Sequence, residues 1–197
     1  MMPSSSILIA AVLGLILLEW WLHGRPKRYV KKLQLKSAAQ DPLAQYQLGL
    51  LYYSGKKVEK DVQRAFALFE SAAKQGHVPA QLALAGLYNA GVGTAKDETR
   101  TFYWYQQAAG QGNFEARINL AICYLQGIGT EQDEKQGIAL LQKAAEEKSP
   151  LACTLLAQLY ETGRGVEKND TLATKYYISA AKQGEPMATQ WVKTHKK

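Results

Sequence analysis

The sequence predicts an all-α protein: a right-handed α/α superhelix of helix–turn–helix repeats, plus one N-terminal transmembrane helix. Three observations support this prediction: a tyrosine that returns every 36 residues, glycines that keep the same interval, and a long apolar run near the N-terminus. A fixed period between about 20 and 50 residues is typical of solenoid arrays, because one helix pair cannot bury its apolar face alone. The register is defined by Tyr52, Tyr88, Tyr124 and Tyr160, and by Gly55, Gly91, Gly127 and Gly163.

The N-terminal apolar segment is long enough to cross a bilayer. Ile7 to Leu18 is uninterrupted, and Pro3 to Leu22 makes 20 residues, about 30 Å as a helix. A secretory signal peptide is the alternative, but no basic residue precedes the run and no small-x-small cleavage site follows it. We therefore predict a retained anchor over residues 1–24.

The basic residues that flank this segment predict its orientation. Six Lys and Arg side chains follow the span within residues 25–36 and none precedes it, so the positive-inside rule places the repeats in the cytoplasm. The predicted location is the inner membrane, single-pass. Glu19 is either a carboxylate near the interface or a contact to another membrane helix. The predicted membrane-interface residues are Glu19, Trp20, Trp21, Arg25, Lys27 and Arg28.

Charge and cysteine usage narrow the function classes. The formal net charge is +7, but residues 41–192 hold 15 Lys and Arg against 16 Asp and Glu. A near-neutral body lacks the basic stripe of a nucleic-acid-binding array.

Cys123 takes the place of a leucine in the other repeats and is expected to be buried, whereas Cys153 replaces Gln45, Gln81 and Arg117 and is expected to be partly exposed. Two such cysteines do not form a disulfide framework.

The chain divides into four regions. Residues 25–43 form a basic juxtamembrane segment and a degenerate capping helix, and residues 188–197 form a capping half-helix with a basic tail. Between them lie four full repeats, at 44–79, 80–115, 116–151 and 152–187.

Each repeat has the same predicted parts. The first helix covers about eleven residues from its opening alanine and ends at a left-handed glycine such as Gly55. An N-cap for the second helix follows at Asp61, Asp97, Asp133, and Asn169 or Asp170. Position six of the first helix is small, which allows a neighbouring helix to approach closely. The second helices are predicted to present Phe69, Tyr105, Leu141 and Tyr177 to the core.

These residues resemble a known family. The stretch from Leu48 to Ala80 is similar to the Sel-one-like repeat (SLR) family, an α-solenoid group related to tetratricopeptide repeats. Departures occur at Lys57, Thr101, Gly137 and Lys148. The resemblance implies an adaptor that binds other proteins, without chemistry of its own. It is carried by Leu48-Gly49, Tyr52, Gly55, Val58, Asp61, Ala65, Ala72-Ala73, Gly76 and Ala80.

The resemblance also implies a concave wall built from three positions of each first helix. An apolar wall of this kind would receive an apolar helix or peptide. The alternative is that a tight superhelix buries these residues against one another. By register, the predicted partner-binding residues are Tyr46, Leu50, Tyr53, Leu82, Asn89, Ile118, Ile122, Leu125, Gln158 and Glu161. The wall positions also include Gly86 and Thr154.

No catalytic or cofactor-binding constellation stands out. Gly91-Val92-Gly93 lacks the preceding strand and following Lys of a phosphate loop, and the three histidines are scattered, without acidic or cysteine partners at ligand spacing. We expect no enzyme activity, cofactor, metal or small-molecule substrate.

The predicted function is that of a bacterial, membrane-anchored, non-catalytic adaptor for a protein partner. Three alternatives stay open: an accessory structural subunit of a larger inner-membrane complex, a periplasmic adaptor in envelope assembly, and a hydrolase of cell-wall-like substrates.

Overall fold

A computed structural model describes residues 27–195. The predicted anchor, with Glu19, Trp20, Trp21 and Arg25, lies outside these residues. Within 27–195 the chain is all-α, and no helix there has the length and apolarity to cross a membrane. The helices are α1 (27–38), α2 (Pro42–Ser54), α3 (Val62–Lys74), α4 (Val78–Ala90), α5 (Glu98–Gly110), α6 (Phe114–Gln126), α7 (Glu134–Glu146), α8 (Pro150–Thr162), α9 (Asp170–Ala181) and α10 (Pro186–His195).

The second helices begin at the predicted N-caps. Each cap side chain accepts a hydrogen bond from the backbone N–H three residues later, at 2.8 to 2.9 Å. This satisfies one of the N–H groups that a helix start leaves unpaired. Asn169, and not Asp170, is the cap of α9, because Asp170 is already the first helical residue.

The first helices end at left-handed glycines, as predicted. Gly55, Gly127 and Gly163 have φ of 70°, 71° and 74°, and the N–H of each donates to the carbonyl four residues earlier. These helices are 13 residues long and begin two residues before the expected alanines. Pro42 and Pro150 explain part of this difference, since proline at the first helical position loses no hydrogen bond.

The described chain divides into two compact units after Ala80; residues 27–80 are the first unit and 81–195 the second unit. In the first unit α2 packs against α3. The contact is close because position six of α2 is Gly49, where a Cβ would lie 2.7 Å from the Phe69 ring. The predicted role of the small residue is thus confirmed at this position.

In the second unit each helix from α5 to α10 packs against the next. Leu141 and Tyr177 lie in its core as predicted, but α5 buries Trp104 while Tyr105 is only half-buried. The prediction that Tyr105 faces the core is therefore only partly correct. The main cluster comprises Ile118, Ala121, Leu125, Ile138, Leu141, Ala144, Ala152, Leu156 and Leu159.

The turns after the first helices differ between the two units. In the second unit Gly129 has φ of 68°, and a Cβ there would overlap the carbonyl oxygen of Glu98. In the first unit Lys57 stands at the equivalent position with φ of 66°. Its Nζ lies 4.7 Å from the centroid of the Tyr29 ring on α1. A lysine side chain therefore fits at this position in the first unit, whereas at Gly129 in the second unit a Cβ would already overlap the backbone.

Polar side-chain pairs connect the first helix of a repeat to the end of its second helix. Gln75 donates from Nε2 to Gln45 Oε1 at 2.8 Å in the first unit, and Gln111 does the same to Gln81 in the second unit. In the third repeat an ion pair between Arg117 and Glu147, 2.5 Å apart, replaces the amides.

Cys153 shares this register and is buried, so the expectation of partial exposure is wrong. The position faces the second helix of its own repeat, where polar residues are buried but paired. The Sγ atom lies 3.9 Å from Ser179 Oγ. Burial raises the pKa of the Cys153 thiol, and burial raises that of Cys123 to about 11.

Candidate protein-binding groove

The predicted first-helix residues of the first unit are largely accessible. Leu50 and Tyr53 on α2 are 41% and 42% exposed. Tyr46, on the same helix face, is half-buried, with its ring centroid 5.7 Å from that of Phe69 and 4.9 Å from that of His77. Leu50 and Tyr53 therefore present apolar surface, and Tyr46 packs within the unit.

On α4 the predicted positions offer less apolar surface. Leu82 and Gly86 are half-buried, and Asn89 is exposed. Gly86 contributes no side chain, so the most accessible of the three side-chain positions on this helix is the polar Asn89.

The predicted residues of α6 lie mostly in the core. Ile118 and Leu125 are 4% and 6% exposed, and only Ile122 is half-buried. Leu125 packs against Gly137 on α7, where a Cβ would lie 2.7 Å from Leu125 Cγ, and Ile118 belongs to the main core cluster. For Ile118 and Leu125 the structure matches the alternative of burial within the array.

The predicted residues of α8 are held by hydrogen bonds within the chain. Thr154 is buried and donates to the carbonyl oxygen of Pro150 and to Glu185 Oε2. Glu161 accepts from the Tyr177 hydroxyl at 2.9 Å and from the Trp191 indole N–H at 3.0 Å. Burial, followed by this contact with Glu161, raises the pKa of Tyr177 well above its usual range. The Glu161 carboxylate thus orders the end of the second unit.

A groove of about 460 Å³ lies between α6 and α8. It brings together four of the predicted residues, Ile122, Leu125, Gln158 and Glu161. The lining is about half apolar and half polar, and its most accessible apolar side chains, Ile122 and Leu155, are half-buried. Its other lining residues are Gln126, Leu155, Leu159, Thr162, Arg164 and Tyr177.

Arg164 places a cation at one end of this groove. Its Nη2 donates to the carbonyl oxygen of Leu125, and its Nε lies 2.9 Å from Glu134 Oε1. Arg164 is not among the residues that the sequence predicted for this site. The repeat alignment offered one indication of this cation: Arg164 stands where the second and third repeats have the apolar residues Val92 and Ile128.

The described residues contain no arrangement suited to metal chemistry. Within 27–195 no group of three or more His, Cys, Asp or Glu side chains could hold a metal ion. His77 accepts a hydrogen bond at Nδ1 from the N–H of Ala80, at 3.3 Å. Burial lowers the pKa of His77, while the charge of Asp41 acts in the opposite direction.

These features define the class: an α-solenoid of helix–turn–helix repeats that carries a groove with apolar and polar lining. The Sel1 repeat profile matches residues 42–77, 78–113, 114–149 and 150–185. The chain therefore belongs to the Sel1 repeat family, and the predicted SLR resemblance is confirmed. Proteins of this family are generally non-catalytic scaffolds for protein interactions.

Solved structures show the same fold. A Sel1 repeat protein from Oxalobacter formigenes is 27% identical with a TM-score of 0.77, over 88% of this chain and 71% of that one. A protective antigen of uropathogenic Escherichia coli, which displays an SLR fold, is 30% identical with a TM-score of 0.75, over 81% of this chain. The match spans 34% of the antigen's length. No curated protein sequence matches the chain.

Proposed function

We propose that this protein is a non-catalytic adaptor that binds a protein partner through the first-helix side of its repeats. The observation that carries the proposal is the groove between α6 and α8, which leaves apolar side chains accessible at its walls. Protein interfaces typically combine a few apolar contacts with polar groups that form hydrogen bonds at the rim, and this groove offers both. The family supports the same conclusion, since Sel1 repeat proteins generally serve as interaction scaffolds.

The groove suits a segment of polypeptide. Its walls come from two consecutive first helices, with Ile122 on one side and Leu155 on the other. A helix or extended peptide would insert apolar side chains between them, while the amides of Gln126 and Gln158 form hydrogen bonds with its backbone or polar groups. The exposed Leu50 and Tyr53 of the first unit are a second candidate contact.

The proposal includes attachment to the inner membrane. Its support is the apolar segment from Pro3 to Leu22 and the basic flank that follows. With this orientation the repeats would lie on the cytoplasmic side, and the adaptor would hold its partner near the bilayer.

Site-specific photo-crosslinking tests the groove. A benzoylphenylalanine in place of Gln158 samples the groove, and the same residue in place of Lys175, exposed on α9, is the matched control. We expect one defined protein adduct from position 158 and none from position 175. The conservative Ile122→Val should keep the adduct, and Ile122→Glu should abolish it, because a carboxylate in an apolar contact loses its hydration.

Thermal unfolding of each variant separates loss of the partner from loss of the fold. The proposal is wrong if position 175 yields the same adduct, or if Ile122→Glu keeps the adduct with an unchanged melting temperature.

A further inference from the structure

A cluster of exposed cations covers one part of the first unit. Its members come from α1 and from the turn between α2 and α3, and we call it the first-unit basic surface. Asp41, Glu59 and Asp61 are the acidic side chains nearest in sequence, and Asp41 Oδ2 lies 4.0 Å from Lys36 Nζ. The surface consists of Lys27, Arg28, Lys31, Lys32, Lys36, Lys56, Lys57 and Lys60, all exposed.

The tertiary structure brings these two segments together. Lys57, in the left-handed turn, extends over the Tyr29 ring of α1 with its Nζ 4.7 Å from the centroid. On α1 itself Val30 and Leu33 are buried and orient the helix. The turn that carries Lys57 therefore lies beside α1, although its lysines are at least 20 positions from those of α1 in the sequence.

Charge is concentrated in this unit. Residues 27–80 hold ten Lys and Arg against four Asp and Glu, a net charge of +6, whereas residues 81–195 hold eleven against twelve, a net charge of −1. A surface of this kind attracts an anionic partner, and each cation near an anionic bilayer adds to that attraction.

Apolar side chains among the cations favour a lipid surface over nucleic acid. Tyr29 is 42% exposed and Leu35 is 65% exposed, both on α1. Such residues gain by entering the headgroup region, whereas a sugar–phosphate backbone offers them little. Only one of the eight cations is arginine, the residue whose planar fork suits nucleic-acid recognition.

We propose that the first-unit basic surface lies against anionic phospholipid headgroups. The inference deepens the proposed membrane attachment, since it names the lipid chemistry that the folded repeats contact. It is separate from the groove of the second unit. It requires only described residues, and the contact does not depend on whether residues 1–24 cross the bilayer.

Lysine footprinting of the full chain in nanodiscs tests the inference. One set of discs contains phosphatidylcholine only, and the other contains about 30% phosphatidylglycerol. We expect acetylation of Lys31, Lys32, Lys56 and Lys57 to be at least about threefold slower in the anionic discs. The protection should disappear in about 1 M NaCl, where the screening length is roughly 3 Å.

Lys175 and Lys182, both exposed in the second unit, are internal references whose acetylation rates should be equal in the two discs. The triple variant Lys32→Gln, Lys56→Gln, Lys60→Gln should reduce the protection of Lys31 and Lys57. A matched set of three neutralised lysines in the second unit, Lys135→Gln, Lys143→Gln and Lys168→Gln, keeps both references and should leave the protection unchanged.

The outcomes distinguish the inference from the anchor. Equal acetylation in both kinds of disc, with the chain bound to both, overturns the inference and supports the anchor. Binding to anionic discs alone, reversed by salt, supports the inference and overturns the anchor. Protection of the same lysines by an RNA oligonucleotide but not by anionic lipid overturns the inference in favour of nucleic acid.

Discussion

The two units share one 36-residue register but have different surfaces. Five large apolar side chains are exposed among residues 27–80, against three among residues 81–195. The first unit is strongly basic, and the second is close to neutral. Of the predicted first-helix positions, the first unit exposes Leu50 and Tyr53, whereas the second unit buries Ile118, Leu125 and Thr154 and leaves the others half-buried or exposed.

Small differences in the second helices and turns account for this contrast. Gly137 leaves the space that Leu125 fills in the second unit, whereas the first unit has Ala65 at the position of Gly137 and the exposed Tyr53 at the position of Leu125. A single methyl group at a helix contact thus accompanies the change from a core residue to a surface residue.

The largest effect is expected at the turn glycines. Gly129→Ala should destabilise the protein by more than about 3 kcal/mol, because the new Cβ would overlap the Glu98 carbonyl oxygen and also sits at positive φ. The equivalent change in the first unit, Lys57→Ala, should cost less than about 1 kcal/mol, since both residues carry a Cβ at this φ. Denaturant unfolding followed by circular dichroism measures both.

Gly112→Ala separates the overlap from the backbone strain. Gly112 has φ of 82° with nothing within 4 Å of a Cβ, so we expect a loss of about 1 kcal/mol. Similar losses for Gly129→Ala and Gly112→Ala would show that the close packing of this turn is not what stabilises the second unit.

Leu125 and Tyr53 occupy equivalent repeat positions, but truncating them should have different effects on the free energy of unfolding. Leu125→Ala should cost about 2 to 4 kcal/mol because it leaves a cavity in the core. Tyr53→Ala should cost less than about 1 kcal/mol because its side chain is already exposed. Unfolding free energies from urea titrations compare the two, and equal costs would contradict the proposed contrast between the units.

The smallest effect is a pH dependence confined to the first unit. Burial lowers the pKa of His77 below its unfolded value of 6.5, so the folded state resists protonation. The stability contributed by neutral His77 is present above pH 6.5 and is lost as the pH falls through and below that value. The melting temperature should therefore decrease modestly from about pH 7.5 to pH 5.

His77→Gln is the control for this pH dependence, because glutamine keeps a hydrogen-bonding side chain without a titrating ring. The dependence should be weaker in this variant. If the melting temperature of the native protein instead rises on acidification relative to that of His77→Gln, burial does not lower the pKa of His77.

The sequence by itself determined the repeat architecture. The N-caps at Asp61 and Asp97 and the glycine at Gly55 depend on backbone groups within about four residues, so local sequence was sufficient to identify them. The residues that recur at the 36-residue spacing carried the resemblance to the family, and that resemblance implied which first-helix positions to consider.

Only the tertiary structure decided which of those positions are accessible. Three features depend on contacts between different helices or turns: the burial of Leu125, the pairing of Glu161 with Trp191, and the contact of Lys57 with Tyr29. Burial of Cys153 likewise follows from the helix opposite it. Such contacts depend on how closely two helices approach. That distance is set by the packing of side chains well separated along the chain, and the repeat register does not specify this packing.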